Sequence, residues 1–548
     1  MAGNCLQCRQ NHLTLFVPEY IISDDMRGID RMAFLGWASS GFRTRGRSWL
    51  IVLILLSGGA PGAHAQAWPG HARDAQHTSL SSVPSQLPEV IRWQTAVDLD
   101  PQYSGSELLT HYGSPIITSA NTVLVPVKTG AGGGFRLEAR KGTTGALLWQ
   151  TPTDYQLPDY NWVPPWGPAL TPDDSAVALP AAGGTLIVRS SPDFPIGKLS
   201  RVAFFGIANY KQDPGAFNAA IQICTPVTSD LAGNLYFGYA SSGAPLPGYP
   251  HGIPGGLARV TAQGTGSFIP AATLSGNPDY DKIVFNCAPA ISEIRSTVYI
   301  AVNSSYASDG YLCSAATKNM TAKRSVLLID PKNGGHALVD DDGTSTPTVG
   351  PDGDVYYGVL ENALGSNHYR GWMLHFDSTL TITRTPGAFG WDITPSIVPS
   401  QAVPSYKGSS GYLILTKYNN YANAGGDGNN KVAVLDPNAT EVDPISGATV
   451  MKEVITVLGP TKNPNLPGVN EWCINSAAID PINRCAVVNS EDGHVYRWDF
   501  TTNTLSAGLR LADPTGEAYT PTLIGPDGAI YAVNNGFLNC CIQPPPRY

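Results

Sequence analysis

The sequence predicts an all-β protein, a β-propeller of eight four-stranded blades, with seven blades as the alternative. Three observations carry that prediction. A strand–turn–strand unit is spelled twice with little change, a looser spelling of its first half recurs along the chain, and each end of the chain holds an incomplete unit. The two close copies lie at residues 345–358 and 519–532. In the first, Thr346-Pro347-Thr348-Val349 is extended, because proline disfavours the helical region for the residue before it. Gly350-Pro351-Asp352-Gly353 has turn chemistry: proline presets φ, aspartate suits the next position, and the closing glycine takes a positive φ. Val355, Tyr356, Tyr357 and Val359 begin the returning strand with β-branched and aromatic side chains. A repeat of this kind is read ahead of local propensity, because it sets the architecture.

Taken in order, the chain opens with a targeting region. Arg43, Arg45 and Arg47 precede the apolar run at 49–56, and small residues follow as far as Ala63-His64-Ala65. A basic stretch, a short apolar core and an A-x-A site are the parts of a secretory signal. The apolar run is far shorter than the roughly twenty residues that span a membrane. Residues 1–65 are therefore expected to be a leader cleaved after Ala65, with Met32 as the true start. The mature chain is expected to be periplasmic or secreted, with no membrane span. Residues 66–88 form a lead-in rich in histidine and turn residues. His71 and His77 are read as part of a segment packed on the surface of the fold, with a metal site as the competing reading. Residues 89–541 are the propeller and 542–548 a tail.

Residues 89–97 make a lone strand. Blade starts follow at Pro115, Pro168, Pro226, Pro289, Pro347, Pro395, Ala477 and Pro521. Their mean spacing is about 58 residues, where four strands and their turns need about 40–50. The longest interval, from Pro395 to Ala477, is expected to hold most of the excess as loop. Each start has a returning strand, as at 122–127 and 297–301. Most units add a third and fourth strand around an Asp/Asn/Gly turn, as at Asp330-Pro331-Lys332-Asn333-Gly334. Pro521 leaves too few residues for four strands, and the strand around Trp93 has no partner of its own. The N-terminal strand is therefore expected to complete the C-terminal blade, which removes the open edges of the array.

Composition narrows the function classes. Charged residues are 14 % of the chain, well below the usual quarter, and the net charge of −9 argues against a nucleic-acid partner, which needs a basic surface. No G-x-S-x-G, H-E-x-x-H or phosphate-cradling glycine loop is present. His251, His336, His368, His375 and His494 are spread over different blades. Asp340-Asp341-Asp342-Gly343 and the loop at 424–430 offer hard oxygens without the calcium-loop spacing, and both are read as solvated loops. Export makes disulfides available. Cys224 and Cys287 precede equivalent prolines of neighbouring blades, and an inter-blade disulfide and two buried thiols are both open readings. Cys473 and Cys485 flank a hairpin around Asp480. Of Cys540 and Cys541, at least one is expected to bond elsewhere and pin the tail.

Leu137-Glu138-Ala139-Arg140 followed by Thr144-Gly145-Ala146-Leu147-Leu148-Trp149 is similar to the strand–turn–strand signature of the pyrroloquinoline-quinone-type (PQQ-like) β-propeller repeat family: an acidic residue, then Thr-Gly-x-x-x-Trp, here with three extra residues in the turn. Trp68-Pro69-Gly70-His71 with Asp74-Ala75-Gln76-His77-Thr78 resembles the lead-in of its exported members. Degenerate versions without the tryptophan stand at 330–334 and 436–440. The resemblance covers about residues 66–541 as architecture. It implies, for dehydrogenases of this fold, PQQ with calcium in the central funnel, a catalytic aspartate, a stacked tryptophan and in several members a vicinal disulfide over the cofactor. Cys540-Cys541 is a vicinal pair, but it lies close to the C-terminus. Its Cα atoms are about 3.8 Å apart, below the usual disulfide range of about 4.4–6.8 Å. No residue here matches the family's calcium ligands or base, so no catalytic, cofactor or metal residue is assigned.

The expectation is a non-catalytic, exported, monomeric propeller that binds another protein or a cell-envelope component. The alternatives are a quinone-dependent oxidoreductase and a carbohydrate-binding or hydrolytic propeller. The expected binding residues are the loop aromatics Tyr155, Tyr160, Trp162, Trp166, Tyr418 and Tyr421, which stand beside Asn and Asp as aromatics of binding surfaces do.

Overall fold

The computed structural model describes residues 66–545, apart from 105–106, 159–165, 305–307, 342, 344 and 513–517. The expected leader lies outside the described residues. Eight antiparallel sheets follow one another along the chain as blades. Blade 1 is built from Ile116–Ile117, Thr122–Lys128, Gly133–Lys141 and Leu147–Gln156, in that order from the axis outward. Each predicted start stands just before an innermost strand: Pro168 before Ala169–Leu170, Pro289 before Ala290–Ser292, Pro395 before Ser396–Pro399, and Ala477 before Ala478–Asp480. The repeated hairpin folds as its residues require. Gly353 donates to the Gly350 carbonyl at 2.9 Å with φ at +92°, and Gly350 donates to Asp354 at 2.8 Å.

The ring closes as expected. Val90–Ala96 pairs with Phe537–Ile542 on the outside of blade 8, in the register Val90↔Ile542 to Ala96↔Phe537. Its Trp93 crosses to blade 1, where the indole Nε1 donates to the Gly142 carbonyl at 2.7 Å. The ring lies on Gly145, whose φ is +71° and where a Cβ would stand 2.7 Å from the indole. The glycine of the Thr-Gly-x-x-x-Trp signature is thus needed twice, for its backbone and for the room it leaves. The tryptophan of that signature docks the next blade. Trp149 donates from Nε1 to the Pro192 carbonyl at 2.7 Å, and the Arg189 guanidinium lies 3.5 Å from its ring centre, a cation–π contact.

Two details differ from expectation. Blade 5 has three strands, Thr348–Val349, Val355–Val359 and Trp372–Phe376. Its outer edge is reduced to the bridges Phe376↔Thr383 and Met373↔Gly387, consistent with Pro386, which has no N–H to offer a ladder. In blade 6 part of the long interval goes into strands rather than loop, since Lys431–Val442 and Thr449–Leu458 are 12 and 10 residues long. No helix among the described residues is long and apolar enough to cross a membrane.

Candidate functional site

The lead-in does not pack on the surface of the fold; it lines the axis of the ring. Trp68 exchanges backbone bonds with Ile117 of blade 1 at 2.7 and 2.9 Å, and the Pro69 carbonyl accepts from Leu170 of blade 2 at 2.8 Å. Ala75 then accepts from Ile291 of blade 4, Gln76 from Val349 of blade 5, Thr78 from Ile397 of blade 6 and Ser79 from Ile479 of blade 7. The segment ends at blade 8, where Gln86 donates to Gly528 at 2.8 Å; its first residue, Gln66, also reaches blade 8, with Nε2 donating to the Ile524 carbonyl at 2.7 Å. Each of these partners belongs to the innermost strand of its blade or the turn that follows it. The lead-in is therefore a hub that fills the channel. Ala72, Arg73, His77 and Ser79 all hold positive φ, a left-handed backbone that costs L-residues roughly 1 kcal/mol or more each, offset by the bonds to the inner strands.

His71 and His77 meet within the hub, edge to face, with ring centroids 5.4 Å apart. Both are buried, at 5 % and 0 % exposure. Burial lowers the His77 pKa to about 4 and lowers that of His71 as well, the neighbouring ring adding to the effect on His71.

A second group lies at the end of the blades from which the chain enters each inner strand. Glu471, Cys473 and Glu491 bring one ligand atom each within 4.8 Å of one another, and the Tyr519 hydroxyl donates to Cys473 Sγ at 3.3 Å. Two carboxylates and a thiol at this separation can hold a divalent cation. Glu471 and Cys473 show an E-x-C spacing, but Glu491 comes from the turn between the second and third strands of blade 7 and carries no local mark of the third member. Asp392 and Lys417 of blade 6 form a separate buried pair at 3.7 Å.

The aromatics expected at a binding surface are interior. Tyr155 is 1 % exposed and donates to the Ile223 carbonyl at 2.7 Å. Trp166 is fully buried and stacks on Phe135 at 5.3 Å. The Arg370 guanidinium lies 5.2 Å from the ring centre of buried Tyr418, and the Tyr421 hydroxyl accepts from Asn419 at 3.0 Å. Tyr160 and Trp162 lie outside the described residues. The disulfide candidates form no pair: Cys224, Cys287, Cys473, Cys485, Cys540 and Cys541 are all buried free thiols, as is Cys313. The scattered histidines stay apart, His336 on Asp309, His375 on Asp354 at 3.0 Å and His368 on Asn420 at 2.8 Å. Of the acidic loops, Asp341 accepts from Phe285 and Asn303 and so ties its loop to blade 4, while Asp427 accepts from Asn420 and Asn429 and braces its own loop. Asp342 lies outside the described residues.

The residues do not fit the quinone site implied by the resemblance. Cys540 and Cys541 are successive residues of the third strand of blade 8, paired with Trp93 and Ile91 on one side and with Tyr531 and Ile530 on the other. Successive strand residues point to opposite faces, so the pair is divided between the two faces of a blade rather than set over the funnel.

Eight blades, closed by the N-terminal strand around an axis, define an eight-bladed β-propeller. No family model matches the chain, and no curated protein matches its sequence. Among solved structures it is similar to a europium-containing methanol dehydrogenase, with a TM-score of 0.52 at 10 % identity over 86 % of this chain and 91 % of that one. It is also similar to the quinohemoprotein alcohol dehydrogenase of Comamonas testosteroni, with a TM-score of 0.47 at 10 % identity over 89 % and 82 %. BamB from Moraxella catarrhalis gives 0.42 at 13 % identity over 83 % and 99 %. Likeness at these identities concerns the fold, and fold alone does not assign function.

Proposed function

We propose that the protein is an exported, non-catalytic propeller that serves as a binding scaffold for another protein of the cell envelope. The observation that carries this reading is a set of large apolar side chains exposed on the turns of blades 2, 3 and 4. Phe194 and Ile196 are 64 % and 89 % exposed on the outer hairpin of blade 2, and Leu231 and Ile294 are 75 % and 84 % exposed on the inner turns of blades 3 and 4. These two turns are tied together, since Leu231 donates its backbone N–H to Glu293 at 2.6 Å. Leu231 also lines a groove of about 550 Å³ between blades 2 and 3, with Pro172, Val188, Val202 and Val260 among its walls. A large exposed apolar side chain at the wall of a groove, as Leu231 is, suits an interaction surface. The hub points the same way, because the chain itself fills the axis.

The test is chemical crosslinking in envelope preparations with wild type and with Phe194→Asp/Ile196→Asp. The double variant should melt as wild type does and lose at least tenfold of the principal crosslinked partner. Unchanged crosslinking in the variant would remove this face from the argument. Dye-linked alcohol oxidation by the purified protein after addition of quinone and calcium would overturn the non-catalytic reading.

A further inference from the structure

We infer that the hub of the propeller is a binding site for one d-block metal ion, held by the Nε2 atoms of His71 and His77. The proposal starts from the hydrogen bond between His77 Nδ1 and the Pro347 carbonyl, 2.8 Å long. A carbonyl oxygen only accepts, so Nδ1 carries the proton and Nε2 is left with a bare lone pair. His77 is fully buried, and its Nε2 has no hydrogen-bond partner. His71, 5 % exposed, likewise buries an Nε2 without a partner. Buried polar atoms are nearly always satisfied, and leaving one unmade costs about 1–3 kcal/mol. Two such nitrogens on adjoining rings, both on one strained segment at the axis, call for a shared occupant.

The rest of the segment fits that occupant. Gly70 and Arg73 exchange backbone bonds at 3.2 and 3.1 Å, and Ser79 donates to Ala72 at 2.9 Å. This turn folds residue 71 back against residue 77, and the ring centroids end 5.4 Å apart. That separation leaves room for one ion bonded at about 2.0–2.1 Å to each ring. A backbone carbonyl that fixes one imidazole nitrogen while the other faces the metal is the usual support for a histidine ligand. The nearby carboxylate is not a third ligand. Asp74 already accepts from Gln76 and Thr78 N–H groups and pairs with Arg73. The remaining coordination positions therefore fall to water or to a small exogenous ligand. Two neutral imidazoles favour zinc, copper, nickel or cobalt, and do not suit calcium or magnesium, which take oxygen ligands.

The experiment uses the purified protein stripped with chelator and titrated with Zn²⁺ by calorimetry. One equivalent should bind and raise the melting temperature, as any ligand specific to the folded state does. His71→Gln and His77→Gln should each weaken binding at least tenfold. Glu471→Gln/Glu491→Gln, which alters the other cluster of ligand atoms, should leave that equivalent in place. Loss of binding in the glutamate variant with retention in both histidine variants would overturn the proposal, as would the absence of any bound equivalent. Should the histidine variants not fold, Cu²⁺ bound to wild type decides the question. Its electron paramagnetic resonance spectrum should show hyperfine splitting from two imidazole nitrogens, and a spectrum with none would overturn the site.

Discussion

Tyr155 sits in a strand, Leu147–Gln156, whose side chains alternate between exposed and buried, and it falls on the buried phase. Its neighbours Asp154 and Gln156 fall on the exposed phase, so a polar setting along the sequence coexists with an apolar one in space. Trp166 is buried because its indole stacks on Phe135 and donates from Nε1 to the Pro180 carbonyl at 3.1 Å, while Gly113 lets the backbone pass so close that a Cβ there would stand 1.6 Å from the Trp166 carbonyl oxygen. Single residues of this kind were not legible, because a blade's flank and a binding loop share a composition. The expected outcome of Trp166→Ala is accordingly a loss of about 3–5 kcal/mol of stability, read by urea denaturation, with crosslinking to partners unaltered at temperatures where the variant is folded. A loss of under 1 kcal/mol would return this residue to the surface. The thiols make a second prediction. Burial pushes Cys287 and Cys540 up to about 12 and raises Cys224 as well, helped by Asp341 and against the pull of Lys282. A thiol reacts as its thiolate, so maleimide at pH 8 should label the native protein slowly. After denaturation without reductant, all seven cysteines of a chain beginning at Gln66 should react. Fewer than seven would mean that pairs form in the folded protein.

At the scale of elements, the sequence was most readable where a proline or glycine fixes a backbone angle. Pro347 and Pro521 announce inner strands, Gly353 and Gly528 close their turns with φ at +92° and +77°, and the spacing of these marks is enough to count blades. It was less readable where a turn-like dipeptide lies within a strand. Asp436-Pro437 belongs to Lys431–Val442, where the ladder absorbs it by a shift of register between Asp436 and Thr440. Asp330 to Gly334 turns beyond the fourth strand of blade 4, which is Ala322–Leu327. The strand Val90–Ala96 was predictable from arithmetic alone, since one end of the chain lacked what the other had spare. Its importance rests on Trp93, which joins blade 8 to blade 1 through Gly142 and Gly145. Deleting residues 89–97 should lower the melting temperature by more than 10 °C, far beyond the cost of removing an exposed strand. Trp93→Ala should account for about 2–3 kcal/mol of that loss. An unchanged melting curve in the deletion would mean that blade 8 closes without it.

At the scale of the whole molecule, one stretch of chain performs both closures. Residues 66–86 bond to blades 1, 2, 4, 5, 6, 7 and 8 at the axis, and residues 90–96 then leave for the rim of blade 8. Nothing in the local sequence reveals the hub, because a segment that bonds to seven of the eight blades in turn has no period of its own, neither 2 nor 3.6. Its consequence is nonetheless physical. Blades in a ring touch mainly their two neighbours, and arrays coupled only to nearest neighbours unfold by increments. A hub bonded to non-adjacent blades adds long-range coupling. Each backbone bond contributes a net of about 1 kcal/mol, and Trp68, 1 % exposed, adds the burial of an indole, so the hub is worth several kcal/mol against a typical total of about 5–15. Removing residues 66–88 while keeping the strand at 90–96 should therefore lower the melting temperature and also broaden the transition, with a reduced dependence on denaturant. Broadening is the diagnostic part, since a merely destabilised ring would melt earlier and just as sharply. A synthetic peptide of residues 66–88 added to the truncated protein should bind it and restore both midpoint and width. If the truncated chain melts as sharply as the intact one, and the peptide changes nothing, the blades couple through their neighbours alone and the hub is a passenger in the channel.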